Sequence, residues 1–183
     1  MDSGAPWTIV LIDDEEDIRE VVRITLEDAG YIVFTAADGQ AGLNLAREKK
    51  PEIIVTDIRM PVMDGLAVLE IVKKEMPDTE VIIITAFADM DLAIRALQLD
   101  ASDFVTKPLN YEALHLALKR ARERFVSRKQ LKDYTRLLER AMEDQARILQ
   151  QDKLVSLGRL AASVVHEINN PLTSVIGFAD LLL

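Results

Sequence analysis

Residues 52–65 read EIIVTDIRMPVMDG. Ile53, Ile54 and Val55 form an unbroken β-branched run, which predicts a strand over Glu52–Asp57 covered on both faces. That run ends on a carboxylate, Asp57. Apolar residues then return at helical spacing over Leu66–Met76. A doubly covered strand followed by a helix is the repeating unit of a parallel sheet.

The same unit recurs on both sides. Thr8–Asp13 (TIVLID), Tyr31–Ala36, Glu80–Thr85 (EVIIIT) and Asp103–Thr106 read as strands. Helices are predicted over Asp17–Ala29, with Gly30 as a left-handed cap, over Gly39–Glu48 and Asp91–Leu99, and from Asn110 onward. The expected fold class is α/β, a doubly wound (βα)5 parallel sheet. Sites in such sheets form at the carboxyl ends of the strands. Asp13-Asp14, Asp57, Thr85 and Thr106-Lys107 all fall there.

The chain has 183 residues, of which 49% are hydrophobic and 29% charged, so it is long enough to bury a core and is not a disordered polymer. It has no Cys, which excludes disulfides, thiolate metal sites and a Cys nucleophile. Neither a membrane-spanning run nor a targeting segment is visible, and a cytoplasmic protein is expected. Residues 1–110 carry 10 basic against 22 acidic side chains, whereas 111–183 carry 12 against 9. The acidic front repels nucleic acid. The basic stretch 119–124 interleaves with apolar residues and reads as a solvated helix face.

Residues 109–157 contain neither Gly nor Pro. As one helix they would span roughly 73 Å, which calls for a partner. Leu131, Leu138, Gln145 and Asp152 recur every seven residues, as do Tyr134, Ala141, Ile148 and Val155. This predicts a parallel dimeric coiled coil, weakened at Gln145 and Asp152, with a stutter near 155–157.

Asp13, Asp14 and Asp57 converge in such a fold. Three close carboxylates repel one another, and a hard divalent ion such as Mg²⁺ relieves the repulsion. Lys107 adds a positive charge, and Thr85 a hydroxyl donor. The strings LIDDEED, TDIRMPVMDG, ITAF and FVTKP, in this order, resemble the receiver domain of two-component response regulators over residues 6–125. The resemblance implies that Asp57 is the phosphoacceptor. It makes Asp14, Asp57 and the Arg59 carbonyl Mg²⁺ ligands, with Asp13 acting through water. Thr85 and Lys107 would bind the phosphoryl group, and Lys107–Pro108 would be cis. Thr85 and Phe104 match the switch positions, with Phe in place of the commoner Tyr.

His166 sits in SLGRLAASVVHEINNPL. Glu167 can accept the imidazole proton and leave the other ring nitrogen nucleophilic. Pro171 should bend the helix nearby. Residues 154–183 resemble the first helix of the dimerisation and phosphoacceptor domain of sensor histidine kinases. That implies His166 as phosphoacceptor, Glu167 as its acid/base partner and Asn170 as a residue of phosphatase reactions. His115 has no assigned role.

The expected organisation is a receiver at 1–125, a coiled-coil linker at 126–153 and a truncated phosphoacceptor helix at 154–183. ATP would act only through a catalytic domain that the sequence does not contain. The expected partners are a second copy through residues 111–165, a phosphodonor histidine kinase or phosphotransfer protein, and a downstream receiver. A straight helix from 110 to 166 measures roughly 84 Å, which favours the receiver as an input phosphorylated by another donor. The alternative is an adaptor with a dimerising stalk whose His166 carries no phosphate. A DNA-binding regulator and a flavin domain are disfavoured, the first for want of a helix-turn-helix pattern and the second because it would not need Lys107.

Overall fold

A computed structural model describes residues 6–86 and 90–180, with side chains for all of these except 90, 151–152, 154–156 and 165–180. The chain divides into two units, 1–131 and 132–183. The first unit holds the five strands β1 (Thr8–Ile12), β2 (Ile32–Ala36), β3 (Ile53–Asp57), β4 (Glu80–Ala86) and β5 (Asp103–Lys107). Between them run α1 (Glu16–Asp28), α2 (Gly39–Lys49), α3 (Gly65–Glu75) and α4 (Met90–Gln98); α5 (Tyr111–Asp180) follows β5. All neighbouring strands are parallel, in the order β2-β1-β3-β4-β5. This is the expected doubly wound (βα)5 parallel sheet, flavodoxin-like in its strand order, with element ends shifted by a residue or so.

Alternate residues of each strand feed two cores, as the period of two requires. Val10, Ile12, Ile54, Val81 and Ile83 pack with Leu43, Leu69, Val72 and Ala96 from α2, α3 and α4. Ile9, Leu11, Ile53, Val55, Ile82 and Ile84 pack with Val22 and Leu26 of α1 and Leu114, Ala117, Leu118 and Ala121 of α5. Both faces of β3 are therefore dry, which explains its unbroken apolar run.

The start of α5 has its own anchors. Asn110 Oδ1 accepts the Glu112 and Ala113 amides at 2.8 and 3.3 Å, as an N-cap does. The pairing expected over 111–165 loses Leu114, Ala117, Leu118 and Ala121, because these side chains face the chain's own sheet. Trp7 meets Phe125 edge-on at 5.2 Å, and Arg122 lies 4.9 Å from the Trp7 ring.

A charged cluster closes the amino end of the sheet. Glu80, fully buried at the start of β4, accepts a hydrogen bond from the Ser102 hydroxyl. Its carboxylate lies 3.5 Å from Arg124 and 3.4 Å from Arg128. Asp100 pairs with the same two guanidiniums at 2.6 and 2.7 Å, and Lys73 stands 3.6 Å away. Burial disfavours the Asp100 charge, but Arg128, Lys73 and Arg124 outweigh it and hold the carboxyl below its usual range. Arg120 pairs with Asp103 at 3.0 Å. The basic stretch 119–124 is thus in part an anchor onto the sheet, not simply a solvated face.

In the second unit, α5 continues through positions 166, 167, 170 and 171. The side chains of His166, Glu167 and Asn170 lie outside the described residues, as does the stutter expected at 155–157. Leu138, Met142, Leu149, Leu160 and Val164 are each more than half exposed. Among the described residues, no helix is long and apolar enough to cross a membrane.

Candidate functional site

Three strand ends and one loop build the acidic pocket. Asp13 directly follows β1 and is fully buried. Asp57 closes β3 and is nearly buried. Asp14 is exposed beside them. Each offers a carboxylate oxygen, and these oxygens all lie within 4.8 Å of one another. The strand order puts β1 and β3 side by side, with their connections leaving to opposite faces. The crevice opens between them.

Lys107, the last residue of β5, reaches over this pocket. Its Nζ lies 2.7 Å from Asp57 Oδ2, 3.2 Å from Asp13 Oδ2 and 2.9 Å from Glu15 Oε1. Burial opposes the Lys107 charge, but its contacts with Asp57 and Glu15 prevail and hold the ammonium above its ordinary pKa. The Lys107 ammonium meets three carboxylates, those of Asp13, Glu15 and Asp57, and Asp14 adds a fourth beside Asp13 and Asp57. Asp13 feels the deficit. Burial pushes its carboxyl up, the Glu15 amide and Lys107 partly offset this, and the Asp57 charge adds to the rise. Asp13 Oδ1 accepts the Glu15 amide at 2.9 Å, whereas buried Oδ2 has no hydrogen bond among the described residues. Its 3.2 Å approach to Lys107 is an ion pair without hydrogen-bond alignment. A buried carboxylate oxygen without a hydrogen bond, in a set of hard oxygen donors, fits a divalent cation such as Mg²⁺.

The remaining predicted residues sit around this pocket. The Arg59 amide lies 3.4 Å from Asp57 Oδ1. Thr85 is buried one residue past Ile84, the β4 partner of Asp57, and its hydroxyl donates to the Ala86 carbonyl at 3.2 Å. Phe104 pairs with Ile83 and packs half-buried against the core beneath α2–α4. The Lys107–Pro108 peptide is cis. Asp14, which alone would pass for a helix cap, is not one: Glu15 occupies the N-cap position of α1 and makes no side-chain cap bond.

Three contributors were not singled out from the sequence. Glu15 shares Lys107 with the pocket. Arg19 donates to the Asp13 carbonyl at 2.7 Å and steadies the β1 end. Gly65 passes against the end of β3, where an added Cβ would lie 2.1 Å from the Asp57 carbonyl oxygen. Glu15 was visible in LIDDEED as one acid among several. Only its geometry separates it from Glu16 and Asp17.

Known proteins give the pocket a context. The response regulator receiver domain family matches residues 9–119, and the His Kinase A (phospho-acceptor) domain matches residues 156–183. An NtrX-like response regulator of Rickettsia felis is 31% identical over 89% of this chain. This chain spans 40% of that protein's length. The probable transcriptional regulatory protein TcrX of Mycobacterium tuberculosis is 34% identical over 63% of this chain and half of its own length. Among solved structures, NtrX from Brucella abortus superposes with a TM-score of 0.67 at 31% identity, covering 70% of this chain and 30% of that one. A receiver domain protein from Clostridium thermocellum gives 0.63 at 33%, covering 68% and 98%. With parallel strands in the order 2-1-3-4-5, acids gathered at the β1 and β3 ends, and a family match over most of the first unit, the chain belongs to the response regulator receiver family of two-component systems, its receiver followed by a histidine kinase phosphoacceptor segment.

Proposed function

We propose that the receiver accepts a phosphoryl group on Asp57 with Mg²⁺, and that this state regulates, through α5, a phosphoacceptor module bearing His166. The supporting observation is the meeting of Asp57, Asp13, Asp14 and Lys107 at one strand-end crevice. Asp14, Asp57 and the Arg59 carbonyl would hold the ion, with Asp13 acting through water. The ion supplies neutralising charge for the incoming phosphoryl oxygens.

An Asp57 carboxylate oxygen attacks phosphorus. A new O–P bond forms as the bond from phosphorus to the donor breaks, and the donor departs with the electron pair. With a phosphohistidine donor, the leaving imidazole then takes up a proton. Lys107 fixes one Asp57 oxygen before transfer and pairs with a phosphoryl oxygen afterwards. The Thr85 hydroxyl exchanges the Ala86 carbonyl for a phosphoryl oxygen, and Phe104 takes up the space through packing alone.

The working division is a receiver at 1–125, a linker at 126–153 and a phosphoacceptor helix at 154–183. Two copies pair beyond the receiver. In the second unit, His166 would be phosphorylated by an ATP-binding catalytic domain, with Glu167 as its acid/base partner, and would pass the group to a downstream receiver. Asn170 would serve the reverse, hydrolytic reaction. The receiver's own donor is another histidine kinase or phosphotransfer protein.

The test incubates the protein with acetyl phosphate, with and without MgCl₂, and reads intact mass. Mg²⁺-dependent gain of one phosphoryl group, abolished by Asp57→Asn, is expected. Equal labelling of the Asp57→Asn protein would reject the assignment. A kinase catalytic domain added in trans should label the chain but not its His166→Gln variant. That labelling should change when Asp57 carries a phosphoryl mimic, and an unchanged rate would remove the regulatory link.

A further inference from the structure

Residues 100–103, the corner between α4 and β5, are tied to α5 one after another, directly or through Glu80. Asp100 spans two guanidiniums, with Oδ1 2.6 Å from Arg124 and Oδ2 2.7 Å from Arg128. The Ala101 carbonyl accepts from Arg124 at 3.4 Å. Ser102 donates to Glu80, the buried carboxylate that the same two arginines approach. Asp103 pairs with Arg120 at 3.0 Å. Arg120, Arg124 and Arg128 follow one another at four-residue spacing, so they form a ladder along one face of α5. Asp100 itself has a φ of 69°, a left-handed backbone that glycine enters without strain. Glycine there would relieve the backbone but remove both ion pairs.

The helix that leads into this corner is the one least embedded in the receiver. Among the described residues, α4 fully buries only Ala93 and Ala96, while Ile94 and Leu97 are more than two-fifths exposed. α1, α2 and α3 each bury at least one leucine. Alanine removes far less apolar area from water than leucine, so α4 takes the least free energy to displace. It follows the Thr85–Ala86 end of β4, beside Asp57, and leads to Asp100 at the opposite end of the sheet. We propose that Asp100 is the coupling residue between the receiver and its outgoing helix. Displacement of α4 on phosphorylation of Asp57 draws the Asp100 carboxylate off Arg124 and Arg128 and loosens α5 over 120–128. The proposal rests on the reading of Asp57 as phosphoacceptor and deepens it by naming where the signal leaves the sheet. Isolated surface ion pairs contribute little, but here one carboxylate serves two rungs, which are kept or lost together. Glu80, at 3.5 and 3.4 Å, then holds the arginines less closely than Asp100 did.

The test follows hydrogen exchange of the full chain by mass spectrometry, in MgCl₂, with and without beryllium fluoride as phosphoryl mimic. In the wild-type chain the mimic should protect residues 57–60 and speed exchange over 120–131 several-fold. Asp100→Asn should show the faster exchange over 120–131 without the mimic, and no further rise with it. Coupling is reciprocal, so freeing α5 must favour the occupied pocket. Asp100→Asn should therefore bind beryllium fluoride several-fold more tightly, read by titrating the protection at 57–60. Loss of stability alone would not tighten binding at the far end of the sheet. Arg47→Gln, which breaks the exposed Arg47–Glu75 pair away from α5, should keep wild-type affinity and response. Protection at 57–60 without any change over 120–131 in the wild-type chain would overturn the coupling. So would an Asp100→Asn chain with wild-type affinity and response. No protection at 57–60 in the wild-type chain would remove the reading of Asp57 itself, and the coupling with it.

Discussion

Gly65→Ala tests how tightly β3, the strand that ends on Asp57, is held. Gly65 has no left-handed backbone, so space rather than conformation demands glycine here. An added Cβ would sit 2.1 Å from the Asp57 carbonyl oxygen and 3.0 Å from the Ile58 Cα. A tolerable carbon–oxygen contact is about 3.3 Å, so the start of α3 and the end of β3 must separate by about 1.2 Å. Neither neighbour is a flexible side chain that could swing aside. The Gly65 amide also donates to the Ile58 carbonyl at 2.9 Å, and that bond stretches with the same movement. Overpacking of this kind costs about 1–3 kcal/mol. A displacement near 1 Å at a reacting group can slow its chemistry by about 10²-fold. Urea unfolding should therefore show a loss in that range, and Asp57 labelling by acetyl phosphate should slow at least tenfold. Gly158→Ala is the control, because its Cβ meets nothing within 4 Å and alanine favours a helix interior by up to about 1 kcal/mol. Wild-type stability and labelling in Gly65→Ala would refute the claim that this close approach positions Asp57.

Other outcomes follow from the charge arrangement and the single tryptophan. Lys107→Met leaves buried Asp13 and Asp57 facing each other, which should cost about 3–5 kcal/mol without a divalent ion. Urea titrations with and without MgCl₂ should show the variant recovering more stability from the ion than wild type does. The Asp100 carboxyl lies below its ordinary pKa in the fold, so its contribution is complete at neutral pH. That contribution is lost as pH falls below about 4, the unfolded value, toward the lower folded one. The stability gap between wild type and Asp100→Asn should thus shrink from pH 7 to about pH 3, and a constant gap would contradict the pairing. Phe125→Ala removes the edge-on partner of Trp7, the only tryptophan in the chain. Trp7 emission should shift, with stability falling by at least about 1 kcal/mol in urea titrations that follow it.

Periodicity carried much of the fold. The runs at 9–12, 53–55 and 81–84 are apolar on every residue because both faces of their strands are covered, and that pattern leaves few alternatives to a parallel sheet. The pocket was legible because its acids and Lys107 lie in short strings at strand ends. The cluster at the other end of the sheet was not. Lys73, Glu80, Asp100 and the Arg124–Arg128 pair come from four separate places in the chain, and no spacing links the two arginines to the acids they hold. Glu80 in EVIIIT looks like the polar start of a strand, yet the fold buries it completely. Gly65 was silent for a similar reason, since a close approach between two backbones leaves no periodic trace.

Arg124 and Arg128 stand one helical turn apart and grip the same two carboxylates, Glu80 and Asp100. Two bolts through one bracket stop rotation as well as sliding. Within the receiver unit, rolling α5 about its axis would break both guanidinium pairs at once and leave buried Glu80 with Lys73, 3.9 Å away, as its remaining cation among the described residues. Rotation of this stretch of α5 is thereby opposed at two successive helical turns by the same pair of acids.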